Sequence, residues 1–241
     1  MAAVSWLTFP APSWLGRVSA GSLVARGYDE SLHNSLPTAL AYLTQAVAAN
    51  PRHPEAHFLR GMILYRMGRL TESADELEAA AQMDPGREET YVTLARIYER
   101  KGRLDQALSN AMEAAKLNPR SAAAQRALGA AYFRKGKYEK AVESYERAKQ
   151  TPEELGWVHN NLGYIYLLGG DLDKAVKELE VAVRAAPDNA VARNNLGVAY
   201  ERSDRLWEAR REYLMASRID PNYANPRRNL EDLAPRLKLE K

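Results

Sequence analysis

In residues 88–121, Tyr91, Leu94, Ala95 and Tyr98 recur at i, i+3, i+4 and i+7, which is one face of a helix. Lys101 and Gly102 close that helix, because glycine suits the left-handed conformation that follows a helix C-terminus. A second apolar face follows, carrying Leu104, Ala107, Leu108, Ala111 and Ala114. Asn118-Pro119 stops it, since proline disfavours helix for the residue before it. The pattern predicts two helices joined by a short turn.

The same pattern returns along the chain. The tetrapeptide NNLG occurs at Asn160–Gly163 and again at Asn194–Gly197, an offset of 194 − 160 = 34 residues. Pro51, Pro85, Pro119, Pro187 and Pro221 keep this step, with Pro152 one residue out of place. So do Gly61, Ala95, Gly129, Gly163 and Gly197. Ala39, Ser73, Ala107, Ala141, Ala175 and Ala209 form another series, and Ala46 through Ala216 another. Tyr98, Tyr132, Tyr166 and Tyr200 form a fifth. A fixed period of this length means stacked copies of one supersecondary unit. The small residues have a mechanical reason: Gly or Ala at a helix crossing lets the two backbones of a pair approach closely. A larger side chain at Gly163 is expected to overpack that crossing.

Positions are counted from 1 to 34 within units 20–53, 54–87, 88–121, 122–155, 156–189 and 190–223. Gly or Ala at position 8, Tyr at 11, Ala at 20 and 27 and Pro at 32 resemble the tetratricopeptide repeat. The resemblance implies an all-α, right-handed superhelical solenoid of about six helix-turn-helix repeats plus a C-terminal capping helix in residues 224–241. The repeat domain spans residues 20–241 and follows an irregular leader, residues 1–19. The first unit fits mainly in its second helix. Position 4, apolar in the family, holds His57, Gln125, His159 and Arg193.

The family lines its concave surface with positions 2, 5, 6, 9, 12 and 13 and binds peptides or proteins there. On this chain that implies backbone capture by Asn161, Asn195 and Asn229, assisted by Asn160, Asn194 and Asn225. An asparagine amide carries donors and an acceptor, so it can pair with both polar groups of an extended backbone. The arrangement resembles the asparagine ladder of the O-GlcNAc transferase superhelix. The alternative is that these amides bridge neighbouring repeats or face water. Arg100, Arg134 and Arg202 are candidates for charge recognition, and Trp157 and Tyr164 for apolar anchors. The five-residue dicarboxylate clamp of chaperone cofactors is missing: the corresponding positions hold Asn160, Tyr164, Asn195, Asn225 and Asn229.

Composition adds exclusions. The 241 residues contain no cysteine, which removes disulfides, thiolate metal sites and cysteine nucleophiles. His53 and His57 stand four apart, but Pro54 lies between them and no third ligand is near, so neither a metal nor a cofactor is expected. No phosphate loop, nucleophile elbow or dinucleotide motif occurs, and no enzyme or small-molecule substrate is expected. The net charge of +3 is spread along the chain, which places nucleic acid behind protein as a partner. The leader holds Trp6, Phe9 and Trp14, broken by Pro10 and Pro12. It is expected to pack on the first helices, with a targeting or membrane-surface segment as the alternative. The sequence therefore points to a binding scaffold or adaptor, cytoplasmic ahead of periplasmic. Self-assembly through the leader or terminal repeats, and RNA binding, stand as the other readings.

Overall fold

The computed structural model describes residues 19–149 and 152–239. The leader up to residue 18 lies outside the described residues. Among the described residues there are thirteen helices and no strand. Contacts divide the chain into two units, one ending at Thr90 and one beginning at Tyr91. The first holds α1 (Ala20–Leu32), α2 (Leu36–Ala49), α3 (Pro54–Arg66) and α4 (Leu70–Met83). The second takes in most of α5 (Glu88–Arg100), then α6 (Leu104–Leu117), α7 (Ala122–Arg134) and α8 (Tyr138–Ala148). It continues with α9 (Pro152–Gly169), α10 (Leu172–Ala185), α11 (Ala190–Arg202), α12 (Leu206–Ile219) and α13 (Ala224–Leu239).

The turn inside each helix pair is set by one backbone requirement. Gly68, Gly102, Gly136 and Gly170 all have φ between 70° and 80°, a region that costs an L-residue its Cβ clearance. The step of 34 extends to Asn34 and Asp204, both at φ 60°. Asn and Asp are the non-glycine residues that tolerate this conformation best. Between pairs, the residue before the proline makes the turn: Asn50, Asp84, Asn118 and Asp220 each accept, through the side chain, a backbone N–H two residues on.

Packing follows the small-residue series. A Cβ added at Gly163 would stand 2.5 Å from Leu179 Cγ, and one at Gly61 2.7 Å from Leu77 Cγ. Gly129 and Gly197 instead accommodate the rings of Tyr145 and Tyr213. These four partners are fully buried, the leucines each contributing roughly 1.5–3 kcal/mol by leaving water. Gly27 meets Leu43 in the same way, so the first repeat has a complete first helix, α1, where the sequence pattern was weakest.

The polar residues at position 4 are clamps. His57 Nδ1 lies 2.8 Å from Glu76 Oε2 and its Nε2 3.1 Å from the carbonyl of Pro51. Arg193 repeats both contacts, donating to Glu212 at 2.7 Å and to the Pro187 carbonyl at 2.7 Å. Gln125 and Arg227 donate to the carbonyls of Pro119 and Pro221. These four each tie a helix to the turn before it; His57 and Arg193 also reach the second helix nineteen residues on, as His159 does through Glu178. The spacing of His53 and His57 serves the same purpose, because His53 caps α3 by accepting from the Ala56 N–H. One junction departs from the period: α9 starts at Pro152, about one turn before the unit boundary at 156, with proline placed where its missing N–H is harmless.

Candidate functional site

In the second unit, residues from α7, α9, α11 and α13 line an open cavity of about 580 Å³. Asn160, Asn161, Asn194, Asn195, Asn225 and Asn229 all contribute to it. Its apolar walls include Phe133, Tyr164 and Val191. Tyr164 and Val191 are 38% and 47% exposed, so both present apolar surface to an incoming chain. Phe133 holds Tyr164 edge-on at 5.9 Å between ring centres and touches Tyr138 at 5.8 Å.

The amides are organised in pairs across repeats. Asn195 Nδ2 donates to Asn160 Oδ1 at 2.9 Å, and Asn229 Nδ2 donates to Asn194 Oδ1 at 3.0 Å. The first of the series, Asn161, donates to the Trp157 carbonyl at 2.7 Å, one turn back on its own helix. Asn195 and Asn229 thus bridge neighbouring repeats while lining the cavity, and Asn161 lines it while bonded to its own helix. Each bridge uses one N–H of the donor and one lone pair of the acceptor, and an amide has two of each. Asn225 donates weakly to Tyr223 Oη at 3.4 Å.

The position-13 arginines are committed in the same direction. Arg202 donates to the Leu167 carbonyl, and Arg134 Nη1 lies 3.7 Å from Glu99 Oε1. Arg66 donates to the Ser31 carbonyl, and Arg236 to Glu201 at 2.9 Å. Every one of these partners lies thirty-five residues back, as it does for the asparagine bridges. Arg100, Arg134 and Arg202 do not line the asparagine cavity. Their guanidinium groups lie near helix C-termini, where cations are favoured and bare carbonyls need donors.

Trp157 lines a smaller, neighbouring pocket of about 60 Å³ between α5, α7 and α9. Ala127, Ala130 and Ala131 form its floor, with Arg96, Glu99 and Arg126 around it. The Arg126 guanidinium lies over the Trp157 ring at 5.1 Å, and Tyr145 meets that ring edge-on at 5.8 Å. Burial pushes the Glu99 carboxyl above its ordinary range, against the pull of Arg134. Burial also pushes the Tyr145 hydroxyl up, with the Glu99 charge adding to it. Tyr213, at the same repeat position as Tyr145, donates to Glu201 at 2.8 Å. The residue equivalent to Glu201 in the Tyr145 repeat is Phe133, which leaves the Tyr145 hydroxyl buried without a partner.

Among the described residues, no group of three or more His, Asp or Glu side chains could hold a metal ion. No described helix is long and apolar enough to cross a membrane.

The tetratricopeptide repeat family matches residues 25–88 and 92–154, and a second TPR repeat match covers residues 163–204. The chain belongs to the tetratricopeptide repeat family. Its fold is the all-α helical-repeat solenoid of that family, which known structures share. Cut9–Hcn1, a hetero-tetramer of APC/C, aligns with a TM-score of 0.79 at 17% identity over 89% of this chain and 43% of that one. Pseudomonas aeruginosa pilF aligns at 0.76 and 14% identity, over 88% of this chain and 97% of that one. YrrB, described as a TPR protein with an unusual peptide-binding site, aligns at 0.61 and 18% identity, over 78% and 97%. No curated protein sequence matches the chain.

Proposed function

We propose that this repeat protein is a non-catalytic scaffold or adaptor whose second unit binds an extended segment of a partner protein. The asparagine cavity carries the reading. It places six amides on one surface, next to the exposed ring of Tyr164 and the exposed Val191. Mostly half-buried amides that retain hydrogen-bonding capacity favour a ligand rich in backbone N–H and C=O, and exposed apolar walls supply anchor area. YrrB, named for a peptide-binding site, and the APC/C hetero-tetramer Cut9–Hcn1 lend support by likeness of fold. RNA binding is less well supported, because Arg134 and Arg202 are engaged with neighbouring repeats.

The test is selection of displayed random peptides on the whole protein, followed by binding to Val191→Trp. Val191 is exposed, so the larger ring fills the cavity without entering the core. Selected peptides should lose binding to this variant while its helicity is unchanged. Equal binding to both proteins would reject the cavity as the site.

A further inference from the structure

One repeat junction departs from the others by turning apolar. Position 17, the first residue of the second helix, is Leu36, Leu70, Leu104, Leu172 and Leu206 in five units and Tyr138 in the sixth. Those leucines are buried or half-buried, whereas Tyr138 is 40% exposed. Position 13 is arginine in the terminal helix and in every unit after the first, except for Leu168, which is 50% exposed. Arg66, Arg134, Arg202 and Arg236 each reach a polar group thirty-five residues back. From Leu168 the same step lands on Phe133 (168 − 35 = 133), so an apolar pair stands where these four junctions are polar.

The two departures meet in one place. Tyr138 and Leu168 line an open hollow of about 290 Å³ together with Val142, Ile165 and Tyr166. Phe133 connects it to the asparagine cavity: it lines that cavity, and its ring meets both Tyr164 of the cavity and Tyr138 of the hollow. Among the described residues, the charged ones lining the hollow are Glu139 and Asp171, and Asp171 is matched by Lys174 at 2.7 Å. Acids at the rim disfavour an acidic occupant. An apolar hollow continuous with a hydrogen-bonding surface suits an extended chain, whose backbone supplies affinity and whose side chain supplies specificity. We infer that a partner segment bound over the asparagine cavity crosses Phe133 and seats a large apolar side chain, leucine-sized or larger, in the hollow at Tyr138 and Leu168. This rests on the groove being the binding site. It adds the residue that the partner must carry.

The experiment uses the whole protein and fluorescein-labelled peptides selected on it by display, each scanned with alanine. Binding is read by fluorescence anisotropy. One large apolar position should dominate, its change to Ala weakening binding about tenfold, as expected when one such side chain loses its burial. Leu168→Arg restores the residue of the other units, and its guanidinium can donate to the Phe133 carbonyl as Arg202 does to that of Leu167, so the variant is compatible with the fold. It should weaken the parent peptide about tenfold and leave the Ala-anchor peptide unchanged, so that the two changes are not additive. Tyr138→Leu, the residue of the other five units, should narrow the gap between the two peptides. Additive losses, or selected peptides with no dominant apolar position, would overturn the anchor; if Val191→Trp still abolishes their binding, the groove stands. Peptide binding untouched by Val191→Trp would overturn the groove itself, and the anchor with it. A dimer in sedimentation velocity that Leu168→Arg dissociates would overturn the proposal in favour of a second copy of the chain covering the hollow.

Discussion

Asn195 reaches back thirty-five residues to bond the side chain of Asn160, and Asn229 does the same to Asn194. Thirty-five is one period plus one residue. The first helices of neighbouring repeats lie side by side with that offset, so each position-6 amide meets the position-5 amide before it. The asparagine pair in NNLG thus has a packing role as well as a place in the cavity. The bridge should show in a double-mutant cycle of Asn160→Ala and Asn195→Ala by urea unfolding. A coupling energy of about 1 kcal/mol is expected for one part-buried hydrogen bond.

The glycines separate two physical costs. Gly163→Ala puts a methyl 2.5 Å from Leu179 Cγ and should cost roughly 1–3 kcal/mol through overpacking. Gly102→Ala meets nothing within 4 Å but must hold φ near 70°, and should cost about 1 kcal/mol through backbone strain alone. Gly21→Ala, in the first turn of α1 with open space around it, should be neutral or stabilising by up to about 1 kcal/mol. Chemical denaturation of the three variants checks the order.

The position-4 clamps are testable at Arg193. Its partner Glu212 is 5% exposed and, among the described residues, is left with Arg211 when Arg193 is removed. Arg193→Leu should therefore destabilise by about 3 kcal/mol, because a nearly buried carboxylate loses a donor. Arg193→Lys should not restore stability, since one ammonium cannot copy the forked reach to Glu212 and to the Pro187 carbonyl.

An acid limb should trace to Glu178. Burial raises its pKa, but hydrogen bonds from His159 and Lys149, with the Lys149 charge, outweigh burial and hold it below its ordinary 4.5. A depressed carboxyl contributes stability that is present above about pH 4.5 and lost as pH falls through its lower folded value. Glu178→Gln should flatten this part of the stability–pH profile, measured by thermal unfolding between neutral and acid pH.

Much of this was written in the sequence. The step of 34 predicts the helix pairs, and the Gly163 series predicts the crossings, because both depend on residues close in sequence or repeated identically. The polar residues at position 4 stand where the family is apolar, and they are clamps. The partners of His57, His159 and Arg193 sit nineteen residues away on the second helix, and no single-helix pattern exposes such a pairing. The arginine series read as a recognition stripe, yet Arg134 and Arg202 satisfy neighbouring repeats thirty-five residues back, one residue off the period used to find them. Pro152, a flaw in the proline series, marks an early start for α9. The asparagines Asn160, Asn161, Asn194, Asn195, Asn225 and Asn229 do meet with Tyr164 in one cavity, while Trp157 belongs to the pocket beside it.

The most direct test of the groove is site-specific photocrosslinking. A benzophenone side chain at Val191, on the cavity wall, is compared with one at Trp207, which is exposed and outside both pockets. A display-selected peptide should crosslink at position 191 and not at 207. Crosslinking at 207 with none at 191 would contradict the account and move the binding surface to α12.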